Sequence, residues 1–166
     1  MMSSEKGASA PQRILSLWFP HLPADRLLRR RLGKAWRAHG LEPSRPLVFS
    51  RREGSTQRVA ALDARARKLK LKPGMGIAEA RALHPSVEVV ELDPSADRRL
   101  LESLADWCDR YTPLVALDGE DGLFLDITGC AHLFGGEREL LDDLLARFIH
   151  QGFDVRARHR TGARSR

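Results

Sequence analysis

The sequence predicts an α+β fold, a mostly antiparallel sheet packed with helices, with a small basic lobe inserted after the first strand. Three observations carry this. Short apolar runs bounded by turn residues alternate with amphipathic stretches at helical spacing. Two pairs of those runs are separated by hairpin-like loops, and positive charge gathers near the front of the chain.

The opening residues 1–12 are polar and small, without an apolar core, and are expected to be disordered. Residues 13–19, ending at Pro20, suit a buried strand. Over 25–39 the apolar positions Leu27, Leu28, Leu32, Ala35 and Trp36 recur at helical spacing, with Gly40 as the stop. Residues 46–50 and 58–62 are candidate strands flanking the loop Arg51-Arg52-Glu53-Gly54-Ser55. Asp63 is placed to cap a short helix through about Leu69; Lys72-Pro73-Gly74-Met75-Gly76 is a turn, and 77–83 a second short helix ended by His84-Pro85. A strand over 87–92 and a helix opened by Asp93-Pro94-Ser95 follow, the latter with the stripe Leu100, Leu101, Leu104, Trp107 and Cys108. Residues 113–117 and 123–127 resemble two antiparallel strands around Asp118-Gly119-Glu120, and 138–150 is again a helix.

Phe153 starts a further strand, but residues 157–166 hold no large apolar side chain to continue it. This tail is expected to be disordered or out of pattern, as a basic appendage or as the mark of a truncated or frame-shifted product; a strand that stops early leaves its core face unfilled.

Composition narrows the function classes. A chain of 166 residues with 42% hydrophobic and 30% charged residues can bury one core and a small appended lobe. No stretch approaches the ~20 apolar residues of a membrane span, so no membrane partner is expected and the localisation reads as cytoplasmic. Cys108 and Cys130 lack the spacing of a zinc site, and six histidines share no ligand spacing, so no metal is expected from them. Fifteen Lys and Arg fall between Arg26 and Lys72 against the acids Glu42, Glu53 and Asp63, whereas eleven acids lie between Glu88 and Asp126. Cations gathered on one lobe attract a polyanion, because neutralising phosphates releases condensed counterions; a solvated helix face is the other reading.

Two segments sharpen this. Val59-Ala60-Ala61-Leu62-Asp63-Ala64-Arg65-Ala66-Arg67-Lys68, followed by Lys72-Pro73-Gly74-Met75-Gly76-Ile77-Ala78-Glu79-Ala80, resembles the fingers signature of the Y-family (UmuC-like, translesion) DNA polymerases. Tyr111-Thr112-Pro113-Leu114-Val115, followed by Asp121-Gly122-Leu123-Phe124-Leu125-Asp126-Ile127-Thr128-Gly129, resembles the palm hairpin of the same family. With the first strand, the resemblance covers 13–156 and implies palm at 13–21 and 86–156, with a fingers lobe at 22–85; the sheet is then incomplete at its C-terminal end.

The resemblance also implies departures. The family's first strand carries an Asp-x-Asp pair near the metals, where Ser16 and Trp18 stand here, and its palm hairpin carries an adjacent Asp-Glu pair, where Asp121 and Gly122 stand. Two-metal phosphoryl transfer needs carboxylates that hold two divalent ions about 4 Å apart. Asp121 alone is vestigial for that purpose; Asp118, Glu120 and Asp126 lie in other registers of the hairpin. The family's triphosphate-holding Thr, Tyr and Arg fall on Ala61, Ala64 and Arg67, so Arg67 is left as the phosphate-binding candidate. Arg51, Arg52, Arg58 and Lys68 are the candidates for DNA contact.

These departures, with the Leu-Ser-Leu-Trp-Phe-Pro opening, are similar to the catalytically silent ImuB-like subgroup. The resemblance implies a pseudo-polymerase in DNA repair, translesion synthesis and damage-induced (SOS) mutagenesis. Its partners would be DNA, an error-prone DNA polymerase subunit, a RecA-like protein and the sliding clamp. No cofactor is expected; magnesium would be needed only by an active enzyme. Two alternatives stay open: an active but distributive DNA-directed DNA polymerase, and an unproductive truncated fragment.

Overall fold

The first strand, β1 (Gln12–Trp18), holds the fold together by pairing on both sides. The computed structural model describes residues 11–162, so all but the last two residues of the expected disordered start lie outside it, and Gln12 already belongs to β1. Chain order continues with α1 (Leu22–Leu32), β2 (Leu47–Glu53), β3 (Thr56–Leu62), α2 (Ala64–Lys68), α3 (Ile77–Leu83) and β4 (Glu88–Glu91). Then come α4 (Pro94–Trp107), β5 (Val115–Asp118), β6 (Gly122–Asp126), α5 (Glu137–His150) and β7 (Arg156–Gly162). This is the α+β class the sequence predicts.

The strands form two sheets. A four-stranded sheet in the order β5-β6-β1-β7 is antiparallel throughout. Because side chains alternate across a strand, Leu15 and Leu17 face one side together with their partners Leu125 and Leu123, while Ile14, Ser16 and Trp18 face the other. Helices α4 and α5 cover the first side. Leu101, Leu104, Leu140, Leu144 and Phe148 pack there against Leu15, Leu17, Leu123 and Leu125, and Phe19, Phe148 and Phe153 meet edge-on at 5.3–6.2 Å. Full burial of each such side chain contributes roughly 1.5–3 kcal/mol, which makes this layer the main core.

The second sheet, β3-β2-β4, belongs to the inserted lobe. β2 and β3 make the expected hairpin, turned at Gly54, and β2 pairs in parallel with β4. The strand foreseen over 87–92 thus completes the lobe's sheet, and the chain rejoins the first core only at α4, after the expected boundary at 85/86. The parallel pairing explains it: Val48 and Val89, opposite one another, both pack in the lobe's own core.

Two further expectations are corrected. The helix foreseen over 25–39 ends at Leu32, where Gly33 takes φ 94° and its N–H closes on Arg29 O. The following turns bring Trp36 into the interior, where its Nε1–H donates to Gly152 O at 3.1 Å; the apolar spacing that suggested helix serves burial instead. The tail expected to be disordered or out of pattern from 157 is ordered through 162, where it forms β7 in register with β1 from Trp18↔Arg156 to Gln12↔Gly162. Arg156, Arg158 and Arg160 stand on the open side of this edge strand, where main-chain pairing with β1 does not require apolar residues at alternate positions. Residues 163–166 lie outside the described part.

Candidate nucleic-acid interface and carboxylate site

Where β1 meets the β5–β6 turn, the sequence brings Trp18 opposite Gly122. The Trp18 indole is 42% exposed, and its Nε1–H donates to Asp121 Oδ2 at 3.1 Å. Phe19 N–H donates to the Asp121 carbonyl at 2.8 Å, so Asp121 is held through both main chain and side chain. Gly122 has no room for a side chain: a Cβ there would lie 2.8 Å from Asp118 O and 3.1 Å from Leu17 O. Ser16, one alternation along, stands between Phe124 on β6 and Arg158 on β7.

The other acids of the hairpin are placed differently. Asp126 accepts from Gln12 Nε2 at 3.1 Å and from Thr128 N–H at 3.0 Å. Hydrogen bonding from Thr128, with Gln12 adding to it, keeps this carboxyl below its usual range, as suits a residue closing a turn. Among the described residues no group of three or more His, Cys, Asp or Glu side chains is arranged to hold a metal ion.

A cleft of about 450 Å³ opens between the two lobes beside this site. Trp18, Phe19 and Asp121 line it from the first sheet, Arg51, Ala61 and Arg67 from the inserted lobe, and Arg98 from α4. Two of the predicted cations, Arg51 and Arg67, therefore share one cleft with Asp121. Arg58 stands directly across the hairpin from Arg51. Both lie near Glu53, at 4.0 Å and 3.5 Å, and Arg58 also donates to Gly74 O at 2.9 Å. Arg52, adjacent in sequence, alternates to the other side of the strand. Lys68 and Ala64 line a separate cavity of about 250 Å³ with Arg65, His21, Asp25 and Trp36. The predicted cationic residues are thus divided between two surfaces.

Sequence reasoning missed Arg98 and the polar network behind this second cavity. Asp25 is fully buried on α1, accepts from Arg37 Nη2 at 2.5 Å and from Asp154 N–H at 2.9 Å, and burial pushes its carboxyl up to about 7. His21 lies at the lobe junction, 3.2 Å from Leu62 O and 3.7 Å from Asp154 Oδ2, and burial lowers its pKa. The helical spacing over 25–39 gave Asp25 no role, and only the fold reveals that the returning chain covers it.

The impB/mucB/samB family matches residues 36–156. Over 87 residues, 52% of this chain, the sequence is 53% identical to Protein ImuB of Caulobacter vibrioides, covering 19% of that protein. Over 82 residues, 49% of this chain, it is 34% identical to DNA polymerase IV 2 of Mesorhizobium japonicum, covering 20% of it. The matches span about a fifth of the length of these curated relatives. Among solved structures, an insertion ternary complex of Dbh DNA polymerase shares the fold with TM-score 0.71 at 18% identity, over 89% of this chain and 42% of that one. DinB from Sulfolobus solfataricus gives TM-score 0.71 at 18% identity, over 91% of this chain and 42% of its own. With a family match over most of its length and this shared architecture, the chain belongs to the impB/mucB/samB family and carries the N-terminal region of a Y-family DNA polymerase fold.

Proposed function

We propose that this chain acts without catalysis, as an ImuB-like pseudo-polymerase module that binds DNA through its inserted basic lobe in damage tolerance and damage-induced mutagenesis. The observation that carries the reading is the surrounding of Asp121. Its carboxylate accepts from the Trp18 indole, and neither Gly122, next in sequence, nor Ser16, one alternation along β1 from Trp18, carries a carboxylate. A pair of divalent ions about 4 Å apart needs several hard anionic oxygens around it, and an indole N–H competes for the one that Asp121 offers.

Binding of DNA is supported by Arg51, Arg67 and Arg98 in the inter-lobe cleft, and by Arg52 and Arg58 on the adjacent hairpin. These cations would position a sugar–phosphate backbone without reading its sequence. The 53% identity with Protein ImuB supports a place beside an error-prone polymerase, a RecA-like protein and the sliding clamp, as non-catalytic partner.

The test is DNA affinity as a function of salt. Charge reversal at Arg51, Arg52 and Arg58 should weaken duplex binding more than reversal at Arg138, a 90% exposed residue on α5. It should also flatten the salt dependence, by about 0.9 in slope for each phosphate that is no longer neutralised. Equal effects of the two sets would mean that the lobe is only a solvated surface.

A further inference from the structure

The inserted lobe and the four-stranded sheet keep separate apolar cores, so the hold of one on the other is largely polar. From α1 only Leu22 joins the first core, whereas Ala24 and Leu28 pack with Trp36, Leu47 and Phe49 inside the lobe. The chain crosses between the two parts twice, at residues 19–21, which contain Pro20, and at residues 92–93, which Pro94 follows. Both crossings are short, and neither lies in a helix or strand.

Adjacent residues of α1 engage the sheet part on two different sides. Arg26 Nε donates to Asp97 Oδ1 of α4 at 2.7 Å, and Asp97 lines the cleft of about 450 Å³. Asp25 turns instead to the cavity of about 250 Å³, which shares no lining residue with that cleft. Its carboxylate accepts there from Arg37 Nη2 at 2.5 Å and from Asp154 N–H at 2.9 Å. Gly152 O accepts from Trp36 Nε1–H at 3.1 Å and from Arg37 Nε–H at 3.3 Å, and the Arg29 guanidinium covers the Phe153 ring at 4.5 Å. The turn at 151–154 is therefore gripped from α1 and the loop behind it, while α4 is held on the cleft side.

A packed core resists sliding because sliding opens voids, but hydrogen-bonded side chains at a junction can exchange their partners for water. The rear bonds converge on Asp25 and Gly152 O, with Arg37 reaching both, so they act as one set. Asp25 is fully buried, and loss of its charge removes the anion paired with Arg37. With the rear set released, the Arg26–Asp97 tie remains as a pivot and the lobe tilts over the cleft. With that tie released, the rear set is the pivot and the cleft widens.

We infer that the inserted lobe is hinged at residues 19–21 and 92–93, and that Asp25 with Arg37 forms a rear latch which, against the Arg26–Asp97 tie, sets how wide the inter-lobe cleft stands. Asp25 and Arg26 are positioning residues: neither lines the cleft whose width they control. The device needs no ligand in the cleft, so it holds or fails apart from the DNA-binding role proposed above.

The test is the distance between nitroxide labels at Gln57→Cys, on the exposed hairpin, and Arg99→Cys, on the exposed face of α4, read by double electron–electron resonance. The 166-residue chain carries Cys130→Ser for this purpose, and Cys108 is fully buried and stays unlabelled. The pH is kept above the value of about 7 to which burial raises the Asp25 carboxyl, so that the native latch is ionised. Asp25→Asn should shorten the mean distance and Arg26→Gln should lengthen it, each by at least about 2 Å, the scale of a domain rearrangement. Arg37→Gln should repeat the first shift and Asp97→Asn the second; each decides its side if the other variant of that side is not folded by circular dichroism. Variants that lower the thermal midpoint while both mean distances stay native would overturn the inference, as would shifts in the same direction or a shift on one side only.

Discussion

The Trp18 indole N–H points at the carboxylate of Asp121, 3.1 Å from Oδ2, across the strand pair that brings Trp18 opposite Gly122. Trp18→Phe removes the donor and keeps an aromatic ring. Asp121 is then free, yet primer extension with magnesium or manganese should still yield no incorporation, because Ser16 and Gly122 supply no further anionic oxygen. Incorporation that appears in Trp18→Phe and vanishes when Asp121→Ala is added would assign the block to the indole alone.

Gly122 offers a second, structural check. A Cβ would meet Asp118 O at 2.8 Å and Leu17 O at 3.1 Å, both of them backbone atoms that cannot swing aside. Gly122→Ala should therefore destabilise the chain by about 1–3 kcal/mol, read as a lower thermal midpoint. Rebuilding an acid here carries the same cost, so Gly122→Glu with Ser16→Asp should unfold at lower temperature than the native chain.

Gly152 and Gly40 separate backbone strain from crowding. Both have positive φ, at 91° and 67°. A Cβ at Gly152 would lie 2.7 Å from Lys34 O and 2.8 Å from Trp36 Nε1, whereas nothing lies within 4 Å at Gly40. Gly40→Ala should cost about 1 kcal/mol, and Gly152→Ala about 1–3 kcal/mol more. Paired urea titrations measure the difference.

Asp25 gives a pH dependence with a definite sign. Burial raises its folded pKa to about 7 from an ordinary value of 3.8. Between those values the folded chain holds a proton that the unfolded chain has released, so this group's contribution to stability falls as pH rises from about 4 to about 7. Relative to Asp25→Asn, the native chain should gain stability as pH is lowered through this window, by at most about 1.4 kcal/mol per pH unit. A loss on acidification would show that the Arg37 ion pair outweighs burial.

Much of this was legible in the sequence because the signals were local. The apolar run around Leu15 and Leu17, the cap at Asp63 that accepts from Ala66 N–H, and the hairpin turned at Gly54 each follow from neighbouring residues. What escaped depends on distant pairing. Trp36 reads as one more apolar helix position until Gly152 returns to accept its N–H, and the strand at Glu88–Glu91 joins the inserted lobe only through a parallel partner far back in the chain. The arginines of β7 have no apolar alternation to announce a strand; their pairing to β1 is set by the hydrogen-bonding edge that β1 presents. At the candidate site, residue identities at Ser16, Trp18, Asp121 and Gly122 were readable in order, but the indole's engagement of Asp121 was not.

The most direct test of a polymerase fold used without polymerase chemistry is divalent-ion binding at Asp121, followed as the electron paramagnetic resonance signal of free Mn²⁺ with primer–template and nucleotide present. The free-ion signal should be the same for the native chain and for Asp121→Ala. Uptake of one or two equivalents of Mn²⁺ by the native chain, abolished in Asp121→Ala, would contradict the proposed non-catalytic role.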